Sequence, residues 1–167
     1  MSIVRYKWIA LALAAVIASV DQISKNAILQ TIPSEEIVHP ITSFFNLVLV
    51  YNRGISFGLF NQAPVEAQPY IFLGISGIIS CALLVWLFRT RSALIVTALA
   101  MVIGGAIGNA IDRVLHGAVI DFLDFYVTIG SWVYHWPAFN VADSAIVCGV
   151  GLILLDSLAF DKKTLQK

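Results

Sequence analysis

Residues 139–155, FNVADSAIVCGVGLILL, decide the fold, because a nearly continuous apolar run follows two polar side chains. A helix needs about 20 mostly apolar residues to cross the hydrocarbon core of a bilayer, and this run continues to about residue 160. The segment therefore predicts a membrane-spanning helix over residues 139–160. Asn140 and Asp143 would lie in its first turn or so, where a buried charge is costly and points to a function.

The composition of the whole chain supports a membrane protein. Of its 167 residues, 59% are hydrophobic and 12% are charged, whereas a soluble domain averages about 25% charged residues. The net charge is zero and there is no basic block, which argues against a nucleic-acid partner. The histidines are scattered, so we expect no metal site and no cofactor. Cys81 and Cys148 lie within apolar runs and are interpreted as small core residues.

Three further segments are long and apolar enough to span a membrane, at about residues 8–28, 69–88 and 93–111. We therefore predict a mainly α-helical integral membrane protein, with residues 1–167 forming a single polytopic domain. The first segment resembles a signal peptide, but no A-x-A-like cleavage site follows it, so it is interpreted as an uncleaved span.

The distribution of lysine and arginine predicts the orientation. These residues cluster before the first span, between the second and third, and after the fourth: Arg5, Lys7, Arg89, Arg91, Lys162, Lys163 and Lys167. With four spans, all of these segments fall on one side of the membrane, and short basic loops are cytoplasmic. Both termini are therefore predicted to be cytoplasmic.

Two unequal loops would lie on the outer side, at about residues 29–68 and 112–138. Within the first, residues 41–58, ITSFFNLVLVYNRGISFG, are too short for a span and alternate in a β-like way, which predicts strands at the outer surface. The second loop is rich in aromatic residues that suit a lipid–water interface. Its Asp124 is interpreted as a solvated loop acid.

Polar residues from four separate parts of the chain converge at one depth near the outer leaflet. They are Asp21, Asn52, Arg53, Asn109, Asp112, Asp121, Asn140 and Asp143. Ionisable residues at membrane depth are rare and usually functional. Because several lie at the same level, the sequence predicts a polar site there.

Simpler interpretations exist for several of these residues. Asp21 and Lys25 are spaced i, i+4 and can form a helix ion pair. Asp112 can pair with its neighbour Arg113 at the interface. Asn140 can serve as the N-cap of the fourth span, a role that does not exclude one in a site.

The inventory of side chains favours chemistry by paired carboxylates. There is no G-x-S-x-G motif and no phosphate-binding loop. Two carboxylates facing one water cannot both ionise easily, so one keeps its proton. The ionised partner can then take a proton from water while the protonated one polarises a carbonyl. Peptide hydrolysis without a covalent intermediate would follow.

Two other classes of protein remain open at this stage. Carboxylates within membranes also carry protons or cations, as in a small proton- or cation-coupled transporter. A structural scaffold could instead assemble through the G-x-x-x-G motif of Gly104 and Gly108, although we interpret that motif as helix packing.

Four stretches carry a resemblance to a known family: VDQISK (20–25), YNRGISFG (51–58), GGAIGNAIDRVLHGAVIDFLDF (104–125) and FNVADSAI (139–146). Together they resemble the lipoprotein signal peptidases, or signal peptidase II, over nearly the whole chain. The resemblance implies an intramembrane aspartyl endopeptidase of the bacterial inner membrane. It would remove signal peptides from prolipoproteins, cutting just before the cysteine that already carries diacylglycerol.

The resemblance also implies roles for individual residues. Asp121 and Asp143 would be the catalytic pair, although spacing alone leaves Asp112 and Asp121 both open, and which acid acts as the base is not assigned. The remaining matched positions would line or support the substrate pocket: Asp21, Asn52, Gly54, Asn109, Asp112, Arg113 and Asn140. The expected partners are lipid-modified prolipoproteins and membrane lipids, with no metal and no cofactor. Nothing in the sequence demands an oligomer, so a monomer is expected.

Overall fold

The computed structural model describes residues 3–54 and 68–164. In chain order its elements are α1 (Ile3–Thr31), β1 (His39–Pro40), β2 (Phe45–Asn52), α2 (Gln68–Arg89), α3 (Ala93–His116), β3 (Val119–Ile129), β4 (Trp132–His135) and α4 (Val141–Thr164). All four helices are long and apolar enough to cross a membrane. The predicted fold class, a mainly helical membrane protein with a small β element, is confirmed.

Some helix ends differ from the predicted spans. α1 extends beyond residues 8–28 at both ends, and α3 continues to His116. The α3 extension places Asp112 and Arg113 in the last turns of a helix and not at the start of a loop. Gly117, with φ 69°, then ends the helix in a left-handed cap.

The sheet combines both outer connections. Its four antiparallel strands follow the order β1-β2-β3-β4. β2 lies where the sequence predicted strands, although residues 55–58 of that prediction fall outside the described residues. The second outer loop, predicted only as an aromatic interfacial segment, forms β3 and β4. Strand formation there was missed because its pairing partner, β2, is more than 60 positions away in sequence.

The register of β2 against β3 brings polar residues of the two strands together. Val50 lies opposite Asp121 and Asn46 lies opposite Asp124, so β2 carries one extra residue between these pairs and the register shifts. Asn52 is two residues beyond Val50 and therefore lies diagonally across from Asp121. Long side chains at such diagonal positions can reach one another.

α3 is the central helix and packs against the other three. A Cβ atom added at Gly104 would lie 2.7 Å from the Ala14 carbonyl oxygen of α1, and one at Gly105 would overlap the Ala142 carbonyl oxygen of α4. The small-residue face is therefore filled by helices of the same chain, as the packing interpretation predicts. Assembly of a scaffold through this face is not compatible with these contacts.

Two apolar clusters hold the helices and the sheet in place. One joins α1 and α3 near Leu99, and the other joins the C-terminal end of α1 to the sheet through Ile28, Ile120 and Phe122. The second cluster fixes the sheet above the helix ends. The core interpretation of Cys81 and Cys148 is wrong: both thiols are exposed on outward helix faces. Sequence could not show this, because a membrane helix is apolar on every side.

Candidate active site

The first turn of α4 is held by reciprocal hydrogen bonds between Asn140 and Asp143. The Asp143 backbone N–H donates to Asn140 Oδ1 over 2.8 Å, and the Asn140 backbone N–H donates to Asp143 Oδ2 over 3.2 Å. This is a capping box, which satisfies N–H groups that a helix start leaves free. The N-cap interpretation of Asn140 is confirmed. The same box fixes the position of the Asp143 carboxylate.

The buried Asn140 carboxamide also reaches a second acid. Its Nδ2 donates to Asp121 Oδ1 over 2.7 Å. Asn52 Nδ2 donates to the other oxygen, Asp121 Oδ2, over 2.9 Å, across the diagonal of β2 and β3. Asn140 therefore contacts both carboxylates, that of Asp121 from the sheet through its side-chain amide and that of Asp143 from α4 through its backbone N–H.

Asn109 of α3 holds the remaining oxygen of Asp143. Its Nδ2 donates to Asp143 Oδ1 over 2.7 Å, and its Oδ1 accepts from Asn140 Nδ2 over 3.2 Å and from Lys25 Nζ over 3.0 Å. Lys25 is almost fully buried and also lies 2.7 Å from both Asp21 Oδ2 and Asp112 Oδ2. The i, i+4 pair of Asp21 with Lys25 is confirmed as part of a larger buried cluster.

Asp112 belongs to this supporting cluster. Its Oδ2 accepts from the Ile120 backbone N–H over 3.0 Å as well as from Lys25, and its Oδ1 accepts from Gln22 Nε2 over 2.7 Å. None of the contacts described for Asp112 is an ion pair with Arg113, so this simpler interpretation is not supported. Both acids accept hydrogen bonds on both oxygens, but Asp121 also borders a pocket that Asp112 does not line.

Arg113 and Gly54 close another side of the site. Arg113 donates to the Asn109 backbone carbonyl over 3.2 Å, and its guanidinium carbon lies 5.6 Å from the centre of the Phe72 ring. Gly54 has φ 81° and donates to Asn52 Oδ1 over 2.9 Å, and an added Cβ would press into the Phe72 ring. Only glycine adopts this conformation without strain.

Asp121 lies in an environment that disfavours its charge. Burial, the largest cause, raises the pKa of Asp121 to about 6. The hydrogen bond from Asn52 lowers the pKa of Asp121, and the negative charge of Asp143 raises it. The hydrogen bond from Asn140 and the positive charge of Lys25 have smaller lowering effects. Near neutral pH this carboxyl is therefore close to its titration point, which suits a group that must hold a proton in one step and release it in another.

The two acids border different pockets. A pocket of about 460 Å³ beside the sheet is lined by Val50, Tyr51, Asn52, Arg53, Asp121, Pro137 and Ala138. A second pocket, of about 350 Å³, runs along α4 and is lined by Trp136, Phe139, Asp143, Ser144, Val147 and Cys148. The site thus lies between a region with polar and charged side chains and an almost wholly apolar one.

Two aspects of the site were missed or misread from sequence. Asp124 is not a solvated acid: it is buried, accepts from Asn46 Nδ2 over 2.8 Å and lies 2.8 Å from His135 Nδ1. Gln22 was not singled out, although its side chain donates both to Asp112 and to the Gly108 carbonyl. Its position beside Asp21 was the available signal. In the part of the chain that the structure describes, no cluster of three or more His, Cys, Asp or Glu residues is placed to hold a metal ion.

Comparison with known proteins places this arrangement in a family. The family model described as Signal peptidase (SPase) II matches residues 13–159. The lipoprotein signal peptidase of Cupriavidus necator (strain H16) is 46% identical over 153 residues, covering 90% of this chain and 82% of the relative. That of Janthinobacterium sp. (strain Marseille) is 49% identical over 150 residues, covering 89% and 87%.

Solved structures agree with the sequence relatives. Two structures of bacterial membrane enzymes, determined by the in meso method at 2.3 Å and 1.9 Å resolution, are each 28% identical to this chain. They superpose with TM-scores of 0.75 and 0.76, covering 90% and 89% of this chain and 87% and 92% of their own. These relationships do not favour a transporter. The chain belongs to the signal peptidase II family, the aspartic-type membrane proteases that process lipoproteins.

Proposed function

We propose that this protein cleaves diacylglyceryl-modified prolipoproteins just before the lipidated cysteine, with Asp121 and Asp143 as its catalytic pair. One observation carries the proposal: Asn140 contacts both carboxylates, Asp121 through its side-chain amide and Asp143 through its backbone N–H, and the two acids border pockets of different polarity. A substrate that joins a hydrocarbon group to a polypeptide needs one apolar pocket and one polar pocket on either side of the bond to be cut.

The two pockets define the orientation in which the substrate would bind. The apolar pocket beside Asp143 runs along a membrane helix and accommodates hydrocarbon. The pocket beside Asp121 offers Asn52 and Arg53 next to the sheet and accommodates polypeptide. A scissile bond between them would lie next to both carboxyl groups.

In the proposed mechanism, Asp121 begins protonated and Asp143 begins ionised. Burial raises the pKa of Asp121. Asp143 lies in the first turn of α4, where the helix dipole favours a negative charge, and both of its oxygens accept N–H donors. Asp143 takes a proton from a bound water, whose oxygen attacks the scissile carbonyl carbon while Asp121 donates its proton to the carbonyl oxygen. A neutral tetrahedral diol results.

Collapse of the diol completes the reaction. Asp143 gives its proton to the departing amine nitrogen as the carbon–nitrogen bond breaks, and Asp121 recovers a proton from a diol hydroxyl. The products are a carboxylic acid at the end of the signal peptide and a free amine on the lipidated cysteine. Because the two acids interact, their titration belongs to the pair as a unit.

We further propose that the site faces the outer side of the bacterial inner membrane, with both termini in the cytoplasm. The support is the lysine and arginine distribution, which places the basic loops opposite the sheet. We also propose a monomer in contact with membrane lipids, since the four helices are apolar enough to lie in a bilayer. The proposed chemistry involves no cofactor or metal.

The test compares two peptides of identical sequence in a detergent or bicelle assay, one carrying diacylglycerol on its cysteine and one unmodified. We expect cleavage before the cysteine of the lipidated peptide only, with the product bond identified by mass spectrometry. Equal cleavage of both peptides would refute the requirement for lipid. Cleavage of neither would refute the endopeptidase activity proposed here.

A further inference from the structure

Lys25 is a buried cation to which the proposed mechanism assigns no role. Only 2% of its side chain is exposed, and it lies on α1 beneath the site. An ammonium group has three N–H donors and no acceptor. The three partners of Lys25 are Asp21 Oδ2, Asp112 Oδ2 and Asn109 Oδ1, at 2.7, 2.7 and 3.0 Å. Asp21 and Asp112 balance the charge of the lysine, and the third partner, Asn109, is itself hydrogen-bonded to Asp143.

The contact with Asn109 determines which way that carboxamide points. A carboxamide can turn by 180° and exchange its oxygen with its NH2 group, so its orientation depends on its partners. Lys25 and Asn140 both present N–H groups to Asn109 Oδ1. In the turned orientation, the NH2 group of Asn109 would face these donors and its oxygen would face the Asp143 carboxylate. Both contacts would be repulsive.

The orientation of the Asn109 carboxamide affects the hydrogen bonds of both acids. With Asn109 fixed, its Nδ2 donates to Asp143 Oδ1 over 2.7 Å. The Asn109 oxygen in turn accepts from Asn140 Nδ2, the group that also contacts Asp121 Oδ1. Among the side chains that contact Asn109 Oδ1, Lys25 is the one that can only donate, whereas the orientation of Asn140 is also fixed by the Asp143 backbone N–H.

We propose that Lys25 is a positioning residue for the reaction: it fixes the orientation of Asn109, which donates to Asp143 and accepts from the Asn140 amide that holds Asp121. The inference rests on the proposed catalytic pair and assigns a role to a residue outside it. Lys25 itself touches neither carboxylate of the pair among the contacts described for it.

The charge of Lys25 also acts on the pKa of Asp121, an effect that a purely structural role of the lysine side chain would not have. Burial is the main cause of the raised pKa of Asp121, and the Lys25 charge acts in the opposite direction. The other charged groups around Asp121 are Asp143 on α4, Arg113 on α3, and Arg53 after β2. Removing the lysine charge should therefore raise the pKa of Asp121 further.

The test measures kcat, KM and the pH profile of two variants on the lipidated peptide. Lys25→Met removes the ammonium and keeps an unbranched side chain, but it leaves two buried acids without their cation. The double variant Lys25→Met/Asp112→Asn removes one acid together with the lysine, so the net charge of the cluster is unchanged. Folding of both is checked by thermal unfolding in detergent.

We expect both variants to lose about 10- to 100-fold in kcat, the range seen when groups that orient ligands are removed in metal sites, while KM changes little. In Lys25→Met, the alkaline limb of the kcat/KM profile should also move to higher pH. The matched control is Lys7→Met on the same helix, whose ammonium donates to the Phe88 carbonyl far from the site. It should leave kcat and the pH profile unchanged.

Recovery of kcat in the double variant would overturn the proposal, because Lys25 would then only neutralise Asp112. A double variant that fails to fold would assign Lys25 to stability and overturn the positioning role as well. Activity retained by Asp121→Asn would instead refute the catalytic pair. Inactive Asp121→Asn alongside normal Lys25 variants would overturn this inference alone.

Discussion

The ionisation of Asp121 should weaken the fold as the pH rises from about 4 to about 6. Its pKa rises from 3.8 to about 6, chiefly through burial. A rise of about two units corresponds to about 3 kcal/mol of folding free energy, because each unit is worth 1.36 kcal/mol. Between these two pH values the folded state binds more protons than the unfolded state. Stability therefore falls as the pH rises through this window and stays lower above it.

Replacing Asp121 with Asn should remove this penalty. Asparagine has nearly the shape of the protonated carboxyl and cannot ionise, but its NH2 group must face one of the two donors, Asn52 or Asn140, at a cost that does not depend on pH. The stability of the variant relative to the wild type should therefore increase between pH 4 and pH 8. The increase should reach up to about 3 kcal/mol, or about 6–12 °C in Tm for a chain of this size, although the variant should be catalytically inactive.

The assay is thermal unfolding in one detergent at pH 4, 6 and 8, with the difference in Tm between variant and wild type plotted against pH. The control is Asp124→Asn on the same strand, where the carboxylate is paired with Asn46 and His135, so its loss should not stabilise the protein at pH 8. A Tm difference between Asp121→Asn and the wild type that stays constant or becomes less favourable to the variant between pH 4 and pH 8 would refute the reasoning.

Two further substitutions test the packing and the electrostatics of the site. Gly105→Ala should lower the stability of the fold by about 1–3 kcal/mol, because the added Cβ would overlap the Ala142 carbonyl oxygen. The control Gly151→Ala, which has open space around the added Cβ, should be neutral or stabilising. Equal Tm values for the two variants would contradict the described packing. Asn52→Ala should move the alkaline limb of the kcat/KM profile up by on the order of one pH unit, since a hydrogen bond to a charged group is worth about 1.5–3 kcal/mol. A profile that stays in place or moves down would show that this bond does not stabilise the ionised form of Asp121.

The depth of the site could be predicted from sequence because span length fixes it. Hydropathy located four helices, and the distance of Asn109, Asn140 and Asp143 from the helix ends placed them at one level. The N-cap role of Asn140 was also readable, since asparagine before an apolar run is a strong helix-start signal.

The contacts between distant elements were not predictable in the same way. The burial of Asp124 depends on the pairing of β2 with β3, and the loop composition around it is that of an interfacial segment. The second partner of Lys25, Asp112, lies on another helix, whereas Asp21 lies on its own. The outward direction of Cys148 depends on how α4 rotates against α3. Sequence periodicity says little about this rotation when both the core and the lipid are apolar.

The most direct test of the catalytic pair is single-turnover cleavage of the diacylglyceryl-modified peptide by Asp121→Asn and by Asp143→Asn. The control is Asp156→Asn, which removes a carboxylate from the C-terminal half of α4, away from the site. The catalytic pair predicts that each active-site variant folds and loses at least about 10⁴-fold in rate, while the control cleaves at the wild-type rate. Cleavage at a tenth of the wild-type rate or more by either folded active-site variant would contradict it.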